Sequence, residues 1–409
     1  MASFSIPLTG LDADATALNT IGNNLANLNT TAFKEQNTSF EDLFYQQIGT
    51  SGANNPLLSG VGTRVSGTQT DFSQGSLTTS SNATDMAIQG NGFFVVEQNG
   101  AEQLTRDGSF QLSNTGGLET QDGLTVMGYA AVNGVLGTGS SLSALTIPVG
   151  ATQAAAATSQ FSLTANLNSA STVGTTFDSS VTLYDSLGVS HDATVTFTKT
   201  AANTWSYDVA LPTGDATGTP KNNTGTLTFD ANGNLLTPAS NVTGISFAGM
   251  ADGASDMSFN WQLYNSGGTA LIGQAASSSA VSLTSQNGYA SGTYEGFSVD
   301  ANGVITAQFN NGQTETVGQL ALASVTNQQG LMRVGGNNYA VTTASGAANL
   351  GRAGVDGLGT LEDDSLEQSN VDISTEFSDL IVAQRAFEAN SKTVTTFDSV
   401  TQDAINLIR

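Results

Sequence analysis

The chain has 409 residues, 34 acidic and 10 basic, for a net charge of −24, and it contains no cysteine. No basic surface is available to neutralise phosphates, so nucleic acid and anionic membrane surfaces are poor partners. Disulfides, thiol catalysis and cysteine-based metal sites are excluded. Only 11% of residues are charged, so the exterior must lean on Ser, Thr, Asn and Gln, as suits a secreted body or simply an acidic soluble one.

The first element in chain order is an amphipathic helix over residues 1–28. Leu8, Leu11, Ala15, Leu18, Leu25 and Leu28 form a heptad-like seam whose apolar stripe needs a partner helix. Ser5 and Pro7 suit a helix start. Residues 1–20 lack a basic start and carry Asp12 and Asp14 where an apolar core would be required, so no cleavable signal peptide is expected. No run reaches the ~18 apolar residues that would span a bilayer, so no membrane insertion is expected.

Residues 29–80 change character and, with 356–369, read as a connector. An apolar run at Phe40, Leu43, Phe44 and Ile48 gives way to the Gly/Ser-rich segment TSGANNPLLSGVGTRV, which reads as extended. Strand-and-turn grammar follows. Asn91-Gly92, Asn99-Gly100, Asp107-Gly108 and Asp122-Gly123 punctuate alternating apolar residues in the manner of hairpin turns. The same grammar returns after residue 289, so 81–145 and 285–355 are assigned to one β domain. Residues 146–284 are an insertion into it, opened by an Ala/Ser/Thr-rich linker. The insertion's strand candidates are VTLYDSLG, SHDATVTFTK, TWSYDVAL, GTLTFD and MSFNWQLY, with Trp205, Tyr207, Phe259, Trp261 and Tyr264 as core. These predict a small antiparallel sandwich or barrel.

Residues 370–409 form the last element, a second amphipathic helix. One stripe holds Ile373, Phe377, Leu380, Phe387, Val394, Ile405 and Ile408, and another holds Ile381, Val400, Ala404 and Leu407. Ser369 followed by Asp372 reads as a capping-box start. Such a helix spans roughly 58 Å at 1.5 Å per residue. Two stripes on one long helix imply more than one neighbour; the alternative is an intramolecular helical hairpin. The fold class is therefore multidomain and mainly β, with α-helical, coiled-coil-like termini. Its domains are nested and discontinuous: residues 1–28 and 370–409 inside, then the connector, then two outer β domains.

Chemistry is sparse. His191 is the only histidine. On a strand its neighbours Ser190 and Asp192 point to the opposite face, so it reads as a surface or turn residue rather than part of a triad. Asp230-Ala-Asn-Gly233 and Asp300-Ala-Asn-Gly303 resemble the start of a calcium loop but lack its twelfth-position Glu, and read as turns. Gly90-Asn-Gly92 lacks the third glycine and the helix of a dinucleotide loop. Glu362, Asp363, Asp364 and Glu367 read as a solvated run complementing the positive start of the last helix. No catalytic residue, metal site or cofactor is expected. An enzyme or carbohydrate-binding adhesin would need paired carboxylates in a cleft or exposed aromatics, and nothing marks either.

The opening LTGLDADATALNTIGNNLANLNTTAFK resembles the signature of the bacterial flagellar axial family, the rod and hook proteins. Asn23, Asn24, Leu25, Ala26 and Asn27 match its pattern, as do Asn29, Thr30, Thr31, Phe33 and Lys34. Ala32 departs from it, because glycine is usual there. The likeness continues through GNGFFVV, LTRDGSF, YDSLGVSHDATVTFTK and GLMRVGGNNYAVTTASG, and closes with GTLEDDSLEQSNVDISTEFSDLIVAQRAFEANSK. It covers the chain end to end. Rod members are generally shorter, so the insertion places the likeness on the hook side, with a distal rod subunit as the alternative. The resemblance implies export of an unfolded chain through the flagellar export apparatus, without a cleavable signal. It implies polymerisation of the chain with itself into a curved tube outside the cell, beside rod, cap and hook–filament junction proteins. That tube passes torque from rod to filament as a universal joint. The family's export-gate pattern, an aromatic followed four positions later by an apolar residue, matches Phe40 and Phe44; the alternative is that both rings simply pack.

Overall fold

The computed structural model describes residues 5–50, 52, 55–137, 139 and 141–407. The chain divides into two compact units. The first holds the chain up to Val149, Phe297–Ala307 and the chain from Glu315 onward; the second holds Gly150–Gly296 and Gln308–Thr314.

In the first unit the terminal segments are helices, α1 (Ser5–Ala26) and α2 (Ile373–Leu407). The α2 N-cap is Asp372, whose Oδ1 accepts the Ser374 and Thr375 amides at 2.8 and 2.9 Å. Those hydrogen bonds hold its carboxyl below the usual range. The helix therefore starts three residues later than the Ser369 box implies, because the acidic side chain reaches two orphan N–H groups at once. Ile408 lies outside the described residues.

The segment read as an extended connector is mostly paired backbone. Strand Gln36–Asp42 pairs antiparallel with Thr63–Thr70, and Gln46–Thr50 pairs with Pro56–Ser59. Composition gave no sign of this: the ladders join Gln, Thr and Ser residues whose backbone groups need partners whatever the side chains are. Beyond it, strands Phe93–Gln98, Ala101–Thr105, Thr125–Val132, Thr314–Ser324 and Asn338–Ala340 pair into one sheet. Of the four Xaa-Gly pairs, only Asn99-Gly100 closes a two-residue hairpin, with both residues left-handed at φ 53° and 83°. On one face Phe93 and Tyr339 pack edge-on or tilted around Phe72, with ring centroids 5.4–5.9 Å apart.

The second unit is a two-sheet sandwich. One sheet runs Thr176–Tyr184, Ser190–Ala201, Thr204–Ala210, Thr224–Phe229 and Leu235–Thr237 in sequence order, all antiparallel. In the other, Gln160–Asn168 is parallel to Met257–Gln262 and Ile272–Ala275, and antiparallel to Ala280–Gln286. An all-antiparallel sandwich is thus corrected to a mixed one. The parallel pairs join strands far apart in sequence, which local turn signals do not report. Burial alternates along Gln160–Asn168 and Ser190–Ala201, so both sheets send every second side chain into one core around Phe161, Phe197, Trp205 and Trp261. Residues 285–296, expected in the first β domain, belong to this unit: Gln286 completes the ladder to Phe161 and Tyr289 bridges Ala156.

His191 departs most from expectation. It lies on a strand as foreseen, but it is buried rather than at the surface.

Both tryptophans of the chain, Trp205 and Trp261, lie in the second unit, so tryptophan emission reads that unit alone. Phe161 stacks on Trp261 at 5.6 Å and is buried. Phe161→Ala should destabilise the second unit by ~3–5 kcal/mol, seen as an earlier emission transition in denaturant. The helical signal at 222 nm, carried by the first unit, should keep its midpoint.

Candidate functional site: the helix pair and its junction

The site begins where α1 ends. Asn27 folds back to Asn23, donating through Nδ2 to its carbonyl at 2.8 Å and accepting from Thr30 Oγ1 at 3.1 Å. The chain then reverses at Ala32, which is left-handed at φ 55° and fully buried. The left-handed turn that glycine would supply is therefore present with alanine. Its backbone cost is offset because the Ala32 amide donates to the Glu367 carbonyl at 2.8 Å. Asn29 is exposed; Phe33 is buried beneath the Arg333 guanidinium, 5.4 Å from its ring.

The turn delivers Lys34 into the interior. Its Nζ donates to Glu367 Oε1 at 2.7 Å and to the Ser73 carbonyl at 2.6 Å. Glu367, whose side chain is fully buried, also accepts from the Gly75 amide at 2.8 Å and from Arg106 at 3.3 Å. Arg106 in turn donates to the Gly90 carbonyl at 2.6 Å and lies over the Phe93 ring. Burial lowers the Lys34 and Arg106 pKa values and Glu367 opposes that fall. The reading of 362–367 as a solvated run is thus corrected at its last member: Glu362, Asp363 and Asp364 are exposed, and Glu367 is not. From sequence, Glu367 reads as part of the acidic run and Arg106 as part of LTRDGSF, so their pairing is not foreseen. The available signal is weak: six of the ten basic residues, Lys34 and Arg106 among them, sit inside family-like motifs.

A second knot ties both helices to the same junction. Asn24 Nδ2 donates to Glu376 Oε1 on α2 at 2.7 Å and to the Gln36 carbonyl at 2.9 Å, while its Oδ1 accepts the Gln36 amide at 3.0 Å. Burial raises the Glu376 pKa and the Asn24 hydrogen bond opposes the rise. Asn370 accepts the Glu35 amide at 2.8 Å and donates to the Asp71 carbonyl.

The helices run antiparallel: Asn24 meets Glu376 near one end, and Asp14 meets Asn390 at 2.8 Å towards the other. Small residues make the contact. A Cβ on Gly10 would lie 2.7 Å from the Asn390 amide, and Ala13 and Ala383 are buried. The hairpin alternative is therefore present, yet it does not use the leucine stripe. Leu8 is exposed, and Leu11, Leu18, Leu25 and Leu28 are partly so. On α2, Ile373, Phe377, Ile381, Phe387, Val400 and Ile405 are exposed, and Leu380 and Val394 are partly covered. Phe40, half-exposed, joins Ala17, Ile21, Val382 and Ala386 in lining an open groove beside the pair. Phe44 is 90% exposed. Among the described residues no helix is long and apolar enough to cross a membrane.

Ends clamped together, with large apolar side chains left uncovered on the helices, define a class of chain with paired terminal helices and a β-rich middle. Comparison with known proteins gives that class its family. Four family models match: the flagella basal body rod protein over residues 7–34, the flagellar hook protein FlgE/F/G D1 domain over 87–159, the flagellar basal body protein FlaE D2 domain over 151–289, and the flagellar basal body rod FlgEFG protein C-terminal over 363–407. The flagellar hook protein FlgE of Escherichia coli K12 is 35% identical over 99% of this chain and 100% of its own. That of Treponema pallidum is 33% identical over the full length of both. A crystal structure of Helicobacter pylori flagellar hook protein FlgE2 covers 71% of this chain with a TM-score of 0.54 at 16% identity, a likeness of fold. The chain belongs to the flagellar hook protein family. It is a structural subunit of the bacterial flagellar hook.

Replacing Glu367 by Ala leaves Lys34 and Arg106 buried without their counter-charge. The expected cost is ~3–5 kcal/mol of first-unit stability. Chemical denaturation followed at 222 nm checks this, and tryptophan emission should not move.

Proposed function

We propose that this subunit polymerises through α1 and α2 into the inner wall of a curved tube, which bends while transmitting torque from rod to filament. The observation that carries the reading is the division of the helix surfaces. The intramolecular contact uses Gly10, Ala13, Ala383 and Asn390, while Leu8, Phe377, Ile381, Phe387, Val400 and Ile405 face outward. A stripe of that size lowers free energy only when another surface covers it, at ~25 cal/mol per Å² of apolar area. Copies of the same chain are the occupants that a tube supplies. The inner helices lock by apolar burial, whereas outer β surfaces rich in Ser, Thr and Asn exchange weak polar contacts as the tube bends. The role is structural rather than enzymatic, and it needs no cofactor. Its partners are further copies, then rod, cap and hook–filament junction proteins at the ends of the tube. The finished tube stands outside the cell, reached through the flagellar export apparatus without a cleavable signal.

Phe387→Asp places a carboxylate in the proposed contact, where burial without a partner costs several kcal/mol in every subunit. The variant should remain monomeric under conditions where the parent forms tubes, as seen by electron microscopy, with its emission transition unchanged. Normal tubes would exclude this stripe from the contact.

Phe40 and Phe44 carry a second, separable role, as the aromatic signal read by the export gate. Their exposure supports it, because neither ring is committed to a core within the chain. Phe40→Ala with Phe44→Ala should leave the protein inside the cell while the purified chain still polymerises. Near-normal secretion with weakened assembly would instead assign both rings to packing.

A further inference from the structure

One cluster in the second unit serves neither helix packing nor export. His191 is the chain's single histidine and is 5% exposed. Three carboxylates from three separate turns converge on its ring. Asp215 Oδ2 lies 2.7 Å from Nδ1, Asp185 Oδ2 lies 3.2 Å from Nε2, and Asp252 Oδ2 lies 3.7 Å from Nε2. The Asp185 side chain is fully buried, and Asp252 keeps one edge open to solvent at 27% exposure. Each of these two carboxylates has its other oxygen anchored: Asp185 Oδ1 accepts the Leu187 and Val189 amides, and Asp252 Oδ1 accepts the Ala254 amide. Each therefore presents Oδ2, on a fixed backbone, towards Nε2.

We infer that Asp185, His191 and Asp252 form a binding site for one divalent transition-metal ion, with Asp215 as the residue that orients the imidazole. Three features carry this. First, the donor atoms of these three residues lie within 4.8 Å of one another. The 3.2 and 3.7 Å spacings to Nε2 bracket the ~3.3 Å expected between ligands bound at ~2.0–2.2 Å to a tetrahedral ion. Second, the Nδ1–H···Asp215 contact is the arrangement in which a carboxylate fixes the histidine tautomer and leaves the Nε2 lone pair for a metal. Third, Asp185 and Asp252 are each held through Oδ1 by backbone amides, so both present Oδ2 on the Nε2 side of the ring. An imidazole with two carboxylates suits Zn²⁺ or Mn²⁺ better than Mg²⁺. The solvent-exposed edge of Asp252 leaves room for water as the remaining ligand. Binding would cross-link three turns at one end of the second unit's sandwich, near residues 185–189, 212–218 and 250–254.

The test titrates Zn²⁺, and in parallel Mn²⁺, into the chelator-treated full-length protein. The expected result is one saturable equivalent, an upward shift of the tryptophan emission midpoint, and a visible absorption band when Co²⁺ is used as probe. Asp252→Asn, at the partly exposed ligand, should weaken binding at least tenfold while leaving the metal-free midpoint in place. Asp215→Asn should weaken it ~10–100-fold, the range for a residue that orients a metal-binding histidine. Absence of saturable binding overturns the proposal. Equal affinity in Asp252→Asn also overturns it, assigning the binding to the acidic surface at large. If ring-nitrogen NMR shows both His191 nitrogens protonated in excess Zn²⁺, the cluster is an imidazolium clamp and the metal site is refuted.

Discussion

A single buried carboxylate organises the first unit. Glu367 has no contact with water and needs cationic partners, because an uncompensated interior charge would shift the fold towards opening. Those partners are Lys34 and Arg106, 333 and 261 residues earlier in the chain. To deliver Lys34, the chain must reverse at Ala32, and the same Glu367 residue holds that reversal through its backbone carbonyl. The exit of α1, the first β domain and the return to α2 are thus pinned at one point. A structure that passes torque along its axis benefits from a joint of this kind. Removing any one member exposes the others to a full desolvation penalty, so the joint stays closed or fails as a whole.

The helices leaving that joint divide their surfaces by chemistry. Their mutual contact uses glycine, alanine and asparagine, which permit close approach and hydrogen bonds across the pair. The contact orients α1 against α2 but buries few large side chains. Much of the leucine, isoleucine and phenylalanine stripes remains exposed, uncovered by the partner helix. In the proposed assembly, strength within the subunit and strength between subunits reside in different residues.

The second unit follows another logic. Its core is a conventional two-sheet interior of Trp, Phe, Leu and Val. Its surface is almost free of basic residues. Its buried polar groups include Lys199, Gln274 and the His191 cluster, which gathers three turns at one end.

Sequence alone determined the terminal helices, the alternating strands of the insertion and the family, because helical periodicity, strand alternation and contiguous motifs are local properties that survive in a linear string. It placed Leu8, Phe377 and Phe387 on stripes, yet could not say which stripe faced the partner helix. That choice depends on close approach at Gly10, Ala13 and Ala383, a property of two helices together. The acidic run hid Glu367 for the same reason: a carboxylate looks solvated until cations hundreds of residues away are brought to it. His191 looked ordinary because two of its three carboxylate partners come from turns 24 and 61 residues further along. The parallel pairings of Gln160–Asn168 likewise join distant strands. Charge pairing, register and burial act through space, and only the tertiary structure decided them.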